Sequence, residues 1–202
     1  MSGSEANLQL ETPHGPARVH LEPARAPKAA LVLGHGAGGG ISSPDLVAAA
    51  GAARARGLSV ALVEQPYRVA GRRSPAPAHQ LDAAWQAVVA QLAEAELAGL
   101  ALVTGGRSSG ARVACRTAPA TKAVAVLCLA FPLRPPRGAA SRLPELNAVP
   151  VPMLVVQGSR DPFGIPSPGP QRTVVEVPGT HSLRPGLAEL TAAVETWLAR
   201  IV

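Results

Sequence analysis

The sequence predicts an α/β protein built on a mostly parallel central sheet flanked by helices. Three observations carry this. Short runs of Val, Leu and Ala recur along the chain, longer helix-compatible segments alternate with them, and several runs are apolar throughout, as in strands covered on both faces. With 202 residues, 47% of them hydrophobic, one domain over 1–202 is expected, residues 1–7 being disordered.

Leu8–Leu10 and Ala17–Leu21, separated by Pro13-His14-Gly15-Pro16, read as an opening hairpin. The strands that follow are Ala29–Leu33, Ser59–Val63, Leu100–Val103, Ala123–Leu127, Met153–Val156 and Thr173–Val177. Between them, Pro44–Arg56, Gln80–Leu97, Ala111–Thr117 and Pro185–Ile201 read as helices. Ser43 before Pro44 has the form of an N-cap followed by proline at the first helical position. Trp85 and Trp197 fall in apolar helical stripes and are expected in the core.

The net charge of +6 raises a nucleic-acid reading. Against it, no basic run exceeds the pair Arg72-Arg73, and aromatic residues are 2% of the chain, too few for base stacking. No apolar run is long enough to cross a bilayer. The first residues lack a basic region followed by an apolar stretch, and Cys115 and Cys128 form neither a disulfide framework nor a metal motif. The expectation is a cytoplasmic protein with no metal, cofactor, membrane or nucleic-acid partner.

The chemistry begins at Gly106-Arg107-Ser108-Ser109-Gly110, just after an apolar strand. This is a G-x-S-x-G turn, which lifts a serine hydroxyl above the sheet beside a helix N-terminus. In a chain with 20 glycines the pattern arises readily by chance, so its weight depends on context. A serine hydrolase of this topology needs an acid and then a histidine downstream. Of the three aspartates, only Asp161 follows Ser108; of the five histidines, only His181 follows Asp161, and each lies just past a strand. Glu176, the competitor for the acid role, lies within a strand. The loop Gly34–Gly40 is expected to supply an oxyanion-hole N–H from Ala37, with Ser109 supplying the other. His35 is expected to be structural, hydrogen-bonded within this loop.

The same loop also satisfies G-x-G-x-x-G at Gly34, Gly36 and Gly39, with Glu64 ending the next strand, so a dinucleotide-binding oxidoreductase is an alternative. Ile41-Ser42 and the Ser43 cap separate the glycines from the helix, which counts against it. No Lys-Ser or Lys-Thr follows the glycines, which excludes a Walker phosphate loop.

Together these residues resemble the α/β-hydrolase superfamily from about Ala29 to the C-terminus. The chain is most similar to small, lidless dienelactone-hydrolase-like proteins that carry a His-Gly-Ala-Gly-Gly loop and a Gly-Gly-Arg-Ser-x-Gly elbow, matched by His35–Gly39 and Gly105–Gly110. Pro66-Tyr67 and Arg72-Arg73 match further features of that group. The resemblance implies Ser108 as nucleophile, His181 as general base and then acid, and Asp161 as its orienting partner. Dienelactone hydrolases proper carry cysteine where this chain has Ser108, so the resemblance does not extend to a dienelactone substrate. The group is also similar to the hydrolase-fold domain of animal chromatin-complex scaffold proteins, so a non-catalytic scaffold or binding protein is a second alternative.

The expected function is hydrolysis of a small carboxylic ester or thioester through an acyl-enzyme, with a small-molecule acyl substrate as partner. The segment from Ala130 to Pro150 is too short for a helical cap, so no substantial cap domain and an open site are expected. Tyr67, Arg68, Phe163 and Arg160 are candidate substrate contacts. Arg68, Arg72, Arg73, Arg134, Arg137 and Arg160 fall in loops after strand ends. They would either favour acidic substrates or be ordinary solvated arginines, the second being the simpler reading. Arg107 is expected to pack or pair within the fold.

Overall fold

Because the apolar runs are buried on both faces, they can lie only in the middle layer of a three-layer molecule. In a computed structural model describing residues 5–135 and 138–202, eight strands form one sheet in the order β1-β2-β4-β3-β5-β6-β7-β8. The strands are β1 (Ala6–Leu10), β2 (Ala17–Glu22), β3 (Ala29–Gly34), β4 (Ser59–Glu64), β5 (Ala101–Arg107), β6 (Ala125–Leu129), β7 (Met153–Gly158) and β8 (Arg172–Val177). β1 and β2 form the expected antiparallel hairpin, β2 pairs antiparallel with β4, and all other pairings are parallel.

The helices are α1 (Pro44–Ala55), α2 (Pro66–Val69), α3 (Ala78–Glu94), α4 (Ser109–Thr121), α5 (Leu143–Asn147) and α6 (Leu187–Ile201). One face of the sheet presents Leu31, Leu33, Val60, Leu127 and Val156 to α1 and α6, with Trp197 in that layer. The other presents Ala30, Val32, Ala61 and Val63 to α3, with Trp85 among them. Further along that face, Ala111, Ala114 and Ala118 of α4 pack on Val126, Met153 and Val155. Alternate residues of each strand thus serve opposite layers. Both tryptophans are buried, Trp85 against Gly34, where a Cβ would lie 3.1 Å from its ring.

Several local expectations differ from the structure. Ala6 and Asn7 belong to β1 rather than to a disordered lead-in, because the register pairs them with Leu21 and His20. Ser43 occupies the N-cap position of α1, but its hydroxyl donates to Gly40 O at 3.0 Å instead of capping the helix. The short helices α2 and α5 have no counterpart among the expected helices, and Arg68 sits on α2 rather than in a loop. α4 starts at Ser109 and continues through Pro119 to Thr121.

Between β6 and β7 the described residues hold only α5, and that helix is tied down. Glu145 forms a two-pronged ion pair with Arg112 of α4, at 2.5 and 2.9 Å, and Arg116 joins Glu145 to Asp82 of α3. The segment is fastened to the flank of the sheet instead of standing over its carboxyl edge, so the described residues form no cap domain.

Candidate active site

Four loops at the carboxyl ends of β3, β5, β7 and β8 converge above the sheet. The tightest is the turn between β5 and α4. Ser108 has φ 51° and ψ −106°, a conformation that costs a side-chain-bearing residue free energy and must be held by its surroundings. What holds it is close backbone packing. A Cβ on Gly106 would lie 2.5 Å from Gly34 O and 2.7 Å from the Gly110 backbone, and one on Gly110 would collide with the same Gly34 carbonyl. Only glycine fits at either position, and the Ser108 N–H donates to Leu129 O at 2.9 Å. Ser109 is the first residue of α4, so its N–H has no intrahelical acceptor and points out of the helix N-terminus.

His181 arrives on the loop after β8. That loop docks on the end of β7, where Gly158 lies directly beneath the Thr180 carbonyl and any side chain would strike it. The Arg160 N–H donates to Gly179 O at 2.9 Å, fastening the Asp161 turn to the histidine loop. As a result His181 Nε2 lies 3.0 Å from Ser108 Oγ, and His181 Nδ1 lies 2.9 Å from Asp161 Oδ2. The Asp161 carboxylate is buried and also accepts from Gln157 Nε2 at 2.8 Å and from the Phe163 N–H at 2.9 Å. An ionised carboxylate only accepts, so Nδ1 carries the proton and the Nε2 lone pair faces the serine hydroxyl. The Phe163 ring meets the imidazole edge-on, with centroids 4.5 Å apart.

The loop after β3 is organised by His35. Its Nε2 accepts the Gln65 N–H at 3.1 Å, so its Nδ1 is the protonated nitrogen and donates to Gly36 O at 2.8 Å. Gly36 O also accepts from the Gly39 N–H at 3.2 Å. In a trans peptide the C=O and the following N–H point in opposite directions. Clamping the Gly36 carbonyl therefore turns the Ala37 N–H the other way. Tyr67 Oη donates to Ala37 O at 2.9 Å and fixes the next peptide.

Tyr67, a candidate substrate contact, is buried and serves as a support of this loop. Arg68 reaches Arg72 O at 3.5 Å, and the Arg160 side chain is exposed. Arg137 lies outside the described residues. Among the described residues Arg68, Arg72, Arg73, Arg134 and Arg160 form no salt bridge, whereas Arg18, Arg54, Arg107, Arg112 and Arg116 all do. The dinucleotide arrangement does not form: the helix begins at Pro44, well past the glycines, and Glu64 pairs with Arg18 at 3.3 Å. Cys115 is buried inside α4 with its sulfur 3.4 Å from that of Cys128, away from the Ser108 turn.

Two contributors, Gln157 and Asp45, are not among the candidate residues of the sequence. Gln157 is a buried polar residue in an otherwise apolar strand, and that mismatch was the available signal. Asp45, a charge at the second position of α1, accepts from Arg107 Nε at 2.7 Å across 62 residues of sequence.

Burial pushes the His35 pKa below its ordinary value of 6.5. Below that pH the unfolded chain binds a proton that the folded chain refuses. The contribution is thus complete above about pH 6.5 and is lost as pH falls, by up to about 1.4 kcal/mol per pH unit. Urea unfolding at pH 7 and pH 5 should show the wild type losing more stability than His35→Asn; equal losses would contradict a neutral, buried His35 with a lowered pKa.

Comparison with known proteins agrees with this architecture. Residues 27–184, well over half of the chain, match the family model described as an alpha/beta hydrolase domain. The fold is similar to that of an α/β serine hydrolase without lid from Xanthomonas campestris, at 23% identity and TM-score 0.78, covering 99% of this chain and 96% of that one. It is similar to dienelactone hydrolase from Anabaena variabilis, at 17% identity and TM-score 0.79 over 100% of both chains. Est1E from Butyrivibrio proteoclasticus shares the fold at 15% identity and TM-score 0.75, covering 96% and 98% respectively. Comparison with curated proteins gives no match. Among the described residues no helix is long and apolar enough to cross a membrane. On the family match and the lidless eight-stranded architecture, the chain belongs to the alpha/beta hydrolase family.

Proposed function

We propose that this chain is a serine hydrolase that cleaves small carboxylic esters or thioesters through an acyl-enzyme. The observation that carries the reading is the unbroken hydrogen-bonded series from Ser108 Oγ through His181 to Asp161, at 3.0 and 2.9 Å. His181 takes the Ser108 proton as the hydroxyl attacks the acyl carbonyl, and Asp161 stabilises the imidazolium that results. The Ala37 and Ser109 N–H groups receive the negative charge on the carbonyl oxygen. His181 then gives its proton to the leaving group. A water molecule, deprotonated by the same imidazole, releases the acid and restores the serine.

With α5 held against the flank of the sheet, no element among the described residues encloses a long acyl chain. This favours small, solvent-borne substrates over lipids. The unpaired arginines that follow β4, β6 and β7 support a narrower reading, in which a positive field draws in acyl compounds carrying a carboxylate or phosphate. Lowering salt should then raise kcat/KM for a carboxylated ester but leave a matched neutral ester unchanged; equal responses would remove the narrower reading.

Mass spectrometry after exposure to a fluorophosphonate tests the main proposal. One adduct is expected, on Ser108, absent from Ser108→Ala and formed about 10³- to 10⁴-fold more slowly in Asp161→Asn, where the imidazole loses its orienting charge. No adduct on folded wild type would leave the scaffold reading in its place.

A further inference from the structure

Arg107, the residue just before the serine, has no part in the chemistry above, yet its guanidinium meets the loops after β3 and β8 that serve Ser108. Its Nε donates to Asp45 Oδ2 at 2.7 Å, and its Nη2 donates to the backbone carbonyl of His181 at 3.0 Å. A Cβ on Gly36 would lie 2.9 Å from its Nη1, so the guanidinium is also wedged beneath the peptide that turns the Ala37 N–H. The Asp45 side chain is 5% exposed and that of Arg107 20% exposed, so the pair is largely withdrawn from water. Asp45 Oδ1 accepts the Leu46 N–H at 3.0 Å in the first turn of α1, where the helix dipole favours a carboxylate.

We propose that Arg107 is a positioning residue that sets the height of His181 over Ser108 and the placement of the Ala37 N–H. Asp45 is the anchor that fixes its guanidinium. Asp161, itself held by Gln157, fixes the ring of His181 from one side, whereas the backbone of that residue is held by Arg107. The Ser108 backbone follows Arg107 directly, so one rigid, forked group references nucleophile, base and oxyanion donor to the same helix. Lysine cannot reproduce this, because a single ammonium lacks the fixed angle between the Nε and Nη2 donors. A displacement of about 1 Å at such a site is worth on the order of 10²-fold in rate.

The inference rests on the serine-hydrolase reading, and fluorophosphonate acylation of Ser108 separates the two. Labelling time courses at several probe concentrations give a maximal rate and a half-saturating concentration. The wild type should label, while Arg107→Ala should label about 10- to 100-fold more slowly at saturation with its half-saturating concentration little changed. Added guanidinium ion, at concentrations too low to unfold the protein, should restore part of the rate to Arg107→Ala and none to Arg107→Lys. Asp45→Asn, which keeps the shape but not the charge, should fall between. If Arg107→Ala does not fold, Arg107→Gln keeps one donor toward His181 O and carries the same comparison. Wild-type rates in these variants, or slowing without rescue, would overturn the positioning role with the hydrolase reading intact. An unlabelled wild type would overturn both.

Discussion

The structure depends on one contact, the approach of three backbones at Gly34, Gly106 and Gly110. β3, β5 and α4 meet there at distances no side chain allows. The closeness bends the chain sharply at Ser108 and forces its positive φ. It also brings the first turn of α4 next to the loop that leaves β3. Looser packing would let the serine relax into an ordinary conformation, with its hydroxyl swung away from His181. The strain is thus held by buried sheet and helix packing rather than by the loop itself.

Around that contact the molecule repeats one device, a carbonyl held so that the group on its far side points inward. His35 holds the Gly36 carbonyl and turns the Ala37 N–H; Tyr67 holds the Ala37 carbonyl; Arg107 reaches the His181 carbonyl. Asp161 accepts from two donors, Gln157 Nε2 and the Phe163 N–H, which help satisfy a buried carboxylate and leave one direction free for the imidazole. These supports come from the end of β3, from α2, and from β5 and β7, so the site is assembled from the rigid framework of the sheet. α5 and its ion pairs remain on the flank, leaving the carboxyl edge open.

What the sequence made legible was whatever is encoded locally. The apolar runs marked the strands because burial on both faces leaves no polar alternation to misread. The order of Ser108, Asp161 and His181 could be read because each follows a strand in a fold where strand ends share one edge. The misses are tertiary. Tyr67 and Asp45 have partners 30 and 62 residues away, and no local pattern announces them. Ser43 has the composition of a cap, but a loop carbonyl three residues back claims its hydroxyl. α4 begins two residues earlier than periodicity suggests, because packing against β3 stabilises a helical turn that contains Gly110, a poor helix former.

The most direct test of the central claim, that the strained turn and the aligned imidazole make Ser108 a nucleophile, is a stopped-flow burst with p-nitrophenyl acetate followed by intact-protein and peptide mass spectrometry. The expected result is a burst of about one nitrophenolate per chain, with a single acetyl group on Ser108 and neither in His181→Ala. A linear trace with no burst, or acetyl groups scattered over lysines and the N-terminus at the same rate in both proteins, would contradict it.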